Sequence, residues 1–200
     1  MTKQDAEHNK EHKNTSKQQK DKYQNNSDSE QSETEAESLT EFEVSESLLK
    51  EIASLLNTII SESKKNKLNT KEISPFNNKH SPKISLFDYL LRIQKYSGIE
   101  NNTLIIALIY IDRICYKKGI ILNKYNIHKI LFSSILIAIK YNEDKIYDNL
   151  FFSKIAGISV AELKILEQTF LKIINYELFV SDGLYKKYYN SLNNDIVGNE

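Results

Sequence analysis

With 200 residues and 40% hydrophobic side chains, the chain has room for one domain with a modest core. Its 27 basic and 27 acidic residues cancel, which argues against a bulk electrostatic grip on nucleic acid or on an anionic membrane. A single cysteine, Cys115, excludes an internal disulfide and a thiolate metal cage and points to a reducing, intracellular setting.

The first residues are polar, so no signal-peptide pattern is expected there. Residues 1–37 hold six basic and nine acidic residues and almost no apolar ones. Such a stretch offers nothing to offset the entropy of ordering it, and a disordered tail is expected. "SLTE", Ser38 to Glu41, has the spacing of a capping box and predicts an amphipathic helix over 38–66. Leu48, Leu49, Ile52, Leu55, Leu56, Ile59 and Ile60 carry its apolar stripe. A loop bracketed by Pro75 and Pro82 follows over 67–84, since each proline steers the residue before it away from helix.

Helical spacing returns after Ser85, with Leu86, Tyr89, Leu90 and Ile93 on one face. Thr103 to Lys118 is apolar nearly all round and stops at Gly119. Asn126 to Tyr141 is more apolar still, with Lys129, Ser133 and Lys140 in its one polar slot, and is expected at the centre of a bundle. A short helix from about Asn149 to Ala156 stops at Gly157. "SVAE", Ser159 to Glu162, opens a helix to about Tyr176, and a short last helix and tail are expected over 181–200. These segments are too long for strands of the usual ~4–8 residues, so the expected fold is all-α. The longest apolar runs fall short of the roughly 18 residues that suggest a membrane span.

Two acids sit where the helical pattern calls for apolar residues. Glu167 lies about 40° from Leu163, inside the arc of Leu166, Phe170, Leu171, Ile174 and Leu178. It either pairs with a lysine of this chain or marks the rim of a surface that a partner protein covers; the sequence leaves both open. Asp112, between apolar neighbours, reads as half of a structural ion pair with Arg92 or Lys83. Catalytic signatures are not found. There is no glycine-rich phosphate loop, and His8, His12, His80 and His128 lack metal-ligand spacing. Cys115 has no adjacent base and reads as a core residue. No metal, cofactor or small-molecule substrate is expected.

The ordered series "PKISLFDYLLRIQKY", "TLIIALIYIDR", "LNKYNIHKILFSSILIAIKYNED", "YDNLFFSKIAGISVAELKILEQTFL" and "YELFVS" resembles a cyclin box over residues 75–181. The likeness is greatest to the phosphate-regulon type of fungi, the plant P/U-type cyclins and their protist relatives. It implies a five-helix box at 85–180 that binds and activates a cyclin-dependent protein kinase and has no chemistry of its own. In such proteins a lysine ending the third helix of the box and a glutamate in the fifth contact the kinase; Lys140 and Glu167 stand there. Tyr141, Phe170, Leu171 and Leu178 are the expected apolar part of the contact, with core packing as the competing assignment for each. Asp112 takes the place of an aspartate that forms an internal salt bridge, and Arg92 and Arg113 match arginines of the pattern. The sequence departs from the family in three places. The arginine that many cell-cycle cyclins carry at the entry to the first helix is absent, which puts a substrate-docking patch there in doubt. Lys129 stands where arginine is common, and "AGIS" has one glycine where relatives often have two. Other readings are a cyclin-fold adaptor in transcription, normally two boxes with basic faces, and a scaffold that never touches a kinase.

Overall fold

The structure is a computed structural model that describes residues 46–65, 74–144 and 147–197, with side chains to Leu192. The polar tail of residues 1–37 and the capping box at Ser38 to Glu41 lie outside the described residues. Among those described there are seven helices and no strand: α1 (Glu46–Lys65), α2 (Leu86–Ser97), α3 (Asn101–Lys118), α4 (Ile127–Asn142), α5 (Asn149–Ala156), α6 (Val160–Ile173) and α7 (Asp182–Val197). The fold is all-α, and no described helix is long and apolar enough to cross a membrane.

Helix α4 is the centre. From Ile127 to Ile139 every residue but Lys129 is buried. Ser133 and Ser134 tolerate that burial because their hydroxyls donate to Lys129 O and Leu131 O of the same helix, at 2.7 and 2.8 Å. Their small size lets neighbours close in. Helix α3 packs along α4 more extensively than any other pair, and α5 and α6 also pack on α4 and on each other. Helix α1 lies on α2 and α7, and α7 returns to α3. Phe76, from the proline-bracketed loop, plugs the core: it is fully buried, edge-on to Phe170 with ring centroids 6.1 Å apart.

Local signals in the sequence set most of the helix ends. Ser85 caps α2 by accepting from Asp88 N at 3.0 Å, and Asp148 caps α5 by accepting from Phe151 N at 2.7 Å. Ser159 accepts from Glu162 N at 3.1 Å. The reciprocal half of that capping box goes elsewhere, because the Glu162 carboxylate is 2.8 Å from the Lys129 ammonium. Gly157 ends α5 at φ 74°, a left-handed turn that strains any residue bearing a Cβ. Helix α6 stops at Ile173, short of Tyr176, because Asn175 and Tyr176 both turn left-handed at φ 55° and 57°. The Tyr176 N–H then closes on Leu171 O at 2.9 Å.

Candidate functional site

The last turn of α4, the first turn of α5 and one edge of α6 meet at a single surface. Lys140 ends the buried helix, where the partial negative charge of the last carbonyls favours an ammonium. Its Nζ donates to Glu167 Oε1 of α6 at 2.6 Å and to Asn149 Oδ1 of α5 at 2.7 Å. The side chains of Lys140 and Glu167 are 27% and 16% exposed, so the pair is neither buried nor fully solvated. Glu167 does pair with a lysine of its own chain. The two charges offset each other's desolvation, while one ammonium proton and Glu167 Oε2 remain without a bond among the described residues.

Of the apolar residues expected beside this pair, Tyr141 is exposed, and Leu171 and Leu178 are half-buried against the core. Phe170 is a correction: at 0% exposure and packed on Phe76, it supports the site from within and offers no surface. Position by position, α6 explains the split. Leu163, Leu166, Phe170 and Ile174 line the core, Ala161, Ile165 and Gln168 face out, and Val160, Glu167 and Leu171 run along the margin between.

The expected Asp112–Arg92 ion pair is also corrected. Among the described residues neither Arg92 nor Lys83 is the partner of Asp112, whose Oδ2 accepts from the Tyr188 hydroxyl of α7. Arg92 leaves α2 on a different side and donates to Lys154 O of α5 at 2.9 Å. Asp112 thus ties α3 to α7, while other polar groups of α3 clasp the segment after α6. Tyr110 donates to Leu178 O at 2.7 Å, Arg113 to Glu177 O and to Phe179 O, the latter at 2.8 Å, and Lys117 Nζ sits 2.6 Å from Glu177 Oε1. Burial pushes the Tyr110 phenol up to about 12, so it donates a proton and does not ionise. Burial likewise pushes the Cys115 thiol up to about 12, which leaves it an inert member of the core margin.

Two features, one at this surface and one just beyond α6, escape a reading of the sequence. Asn149 reads only as the start of a short helix; nothing in linear spacing says that it meets Lys140. Tyr176 is 62% exposed, directly beyond α6 and bonded through its backbone to Leu171. A periodic reading extends the helix through it and hides its turn. The signal available was the Asn-Tyr step itself, since asparagine enters the left-handed region more readily than most residues.

No group of three or more potential metal-ligating side chains occurs among the described residues. The family model described as Cyclin matches residues 4–178, further toward the N-terminus than the motif series at 75–181. Cyclin-U4-2 of Arabidopsis thaliana is 35% identical over 128 residues, 64% of this chain and 59% of the relative. PHO85 cyclin-7 of Saccharomyces cerevisiae is 35% identical over 132 residues, 60% of this chain and 46% of the relative. Cyclin-P4-1 of Oryza sativa subsp. japonica is 32% identical over 117 residues, 58% of this chain and 55% of the relative. The chain thus spans between 46% and 59% of the length of these three relatives.

Proposed function

Because the chain belongs to the cyclin family, we propose that it is a non-catalytic regulatory subunit that binds and activates a cyclin-dependent protein kinase. The proposal takes residues 85–180 as the cyclin box, with the helix before it and the helix after it as flanking supports, in an intracellular setting. The observation that carries it is the Lys140–Glu167 pair, placed half-exposed where the buried central helix reaches the surface. Its spare N–H and spare carboxylate oxygen suit the carbonyl and amide of a partner's backbone. Tyr141, Leu171 and Leu178 supply apolar area around it, and Phe170 stiffens it from below.

The mechanism is one of population. An inactive kinase keeps the helix that carries the ATP-site glutamate out of place, so the lysine–glutamate pair of its own active site is broken. A subunit that binds the active placement more tightly than the inactive one shifts the equilibrium by the difference in affinity. Truncation of a charged residue at the centre of such a contact costs on the order of 2 kcal/mol or more, close to thirtyfold in affinity. The test uses a panel of purified cyclin-dependent kinases, measuring binding and peptide phosphorylation with the wild-type chain and with Lys140→Ala and Glu167→Ala. Activation by wild type and its loss in both variants supports the reading. Activation unchanged in both variants refutes the site.

The mutual pairing of Lys140 and Glu167 favours a second reading, in which the pair is an internal brace and the chain is a cyclin-fold scaffold for some other protein. The same panel separates the two, since a scaffold leaves every kinase at its basal rate.

A further inference from the structure

We propose that Asn149 is a positioning residue of the partner-binding surface, fixing the direction of the one Lys140 N–H left for a partner. The inference rests on the kinase-binding reading above and deepens it. An ammonium has three protons in tetrahedral array. Here one goes to Glu167 Oε1 on α6 and one to Asn149 Oδ1 on α5. Two acceptors on two different helices fix the third vector. With Glu167 alone, the flexible four-carbon stem of lysine would swing the ammonium about a single contact.

The residue type fits this role. An amide oxygen supplies an acceptor without a charge, so Lys140 is held in two directions but neutralised by one carboxylate only. The carrier is stiff. Asn149 is half-buried in the first turn of α5, next to Asp148, which caps that helix through Phe151 N at 2.7 Å. Tyr147 stacks on the Phe151 ring with centroids 4.2 Å apart, closing the entry to α5. The short helix α5 packs on α4 and α6 both, so its first turn has a fixed place relative to the residues that it bridges.

Two measurements on the full chain test the role. In the free protein, NMR relaxation of the Lys140 Nζ ammonium should show a restrained group in wild type. Asn149→Leu, which keeps the size and removes the acceptor, should release it. Asn149→Asp, which keeps the acceptor, should not. A Lys140 ammonium already mobile in wild type, or equally restrained in Asn149→Leu, overturns the inference whatever the kinase result. In the second measurement, the probe is the purified kinase of the panel that wild type binds most tightly. Asn149→Leu should weaken binding on the order of tenfold, the size of a lost hydrogen bond to a charged group. In a Lys140→Ala background the same change should have almost no effect, because the residue acts through Lys140. Equal effects in both backgrounds overturn the positioning role while leaving the kinase reading intact. A wild-type chain that binds no kinase of the panel overturns that reading, and with it the role assigned to Asn149.

Discussion

Lys140 and Glu167 are the residues on which the proposed function turns, and the sequence marks them in two different ways. Glu167 breaks the apolar arc of its helix, so the 3.6-residue period alone marks it as needing a partner, whereas Lys140 sits in a polar slot and is marked by its place at the end of the apolar run and by the family resemblance. What the period does not contain is the identity of the partner. Glu167 finds Lys140 across 27 positions of chain, and Asn149 joins them only because α5 folds back onto α4 and α6. Removing one member should be felt in stability as well as in binding. Glu167→Ala should cost about 1–3 kcal/mol in urea unfolding, the range for hydrogen bonds to charged groups, whereas Glu167→Gln should cost less because an acceptor remains. His128 gives a second prediction at this scale. Its Nε2 lies 3.0 Å from Ile84 O, its ring packs 5.2 Å from that of Tyr89, and its Nδ1 is buried without a partner among the described residues. Burial holds the imidazole below its ordinary value of 6.5, outweighing the contact with Ile84. The unfolded chain therefore gains a proton as the pH falls through about 6.5 while the folded chain resists it. Stability is full above that pH and declines below it, until the folded-state value is reached. Glu143, whose carboxyl is pushed up by burial, acts in the opposite sense at lower pH. Thermal unfolding at a series of pH values should show the decline in wild type and a shallower slope between pH 7 and 5.5, roughly the lower flank of a histidine titration, in His128→Phe.

At the scale of elements, caps and stops did most of the work. Ser85, Gly98, Gly119, Asp148, Gly157 and Ser159 each stand at a helix boundary, and each acts within a few residues of itself. The end of α6 was less legible because "KIINYEL" keeps the apolar period going while the backbone has already turned at Asn175 and Tyr176. The clasp on α3 was missed for a similar reason. Arg113 reads as part of a family motif, yet its guanidinium holds two carbonyls, Glu177 O and Phe179 O, more than 60 residues away. Asp112 reads as paired with Arg92 or Lys83 and meets Tyr188, because it faces α7 and not α2. Arg113→Ala should lower stability by about 1–3 kcal/mol, the range for hydrogen bonds to charged groups. Hydrogen exchange should speed up across residues 177–180 in that variant while α4 stays protected. Exchange that rises uniformly would show that the clasp is not a local device.

For the whole molecule, α4 decides the architecture. A helix that is apolar on nearly every side has no stable position except the middle, and its neighbours are arranged by the need to cover it. That much is readable from "ILFSSILIAI". The plug formed by Phe76 is not, since a lone aromatic between prolines has no period to announce it. Leu136, fully buried in α4, should cost about 2–5 kcal/mol when cut to alanine, a large share of a small domain's stability. The same rigidity is what lets the end of α4 present Lys140 at a fixed place. The most direct test of the account is site-specific photo-cross-linking to a purified cyclin-dependent kinase that the chain activates. A benzophenone side chain at position 171, beside Glu167, should capture the kinase, and one at position 91, in the cleft between α2 and α5, should not. Capture from position 91 with none from position 171 would place the kinase on another face and contradict the account.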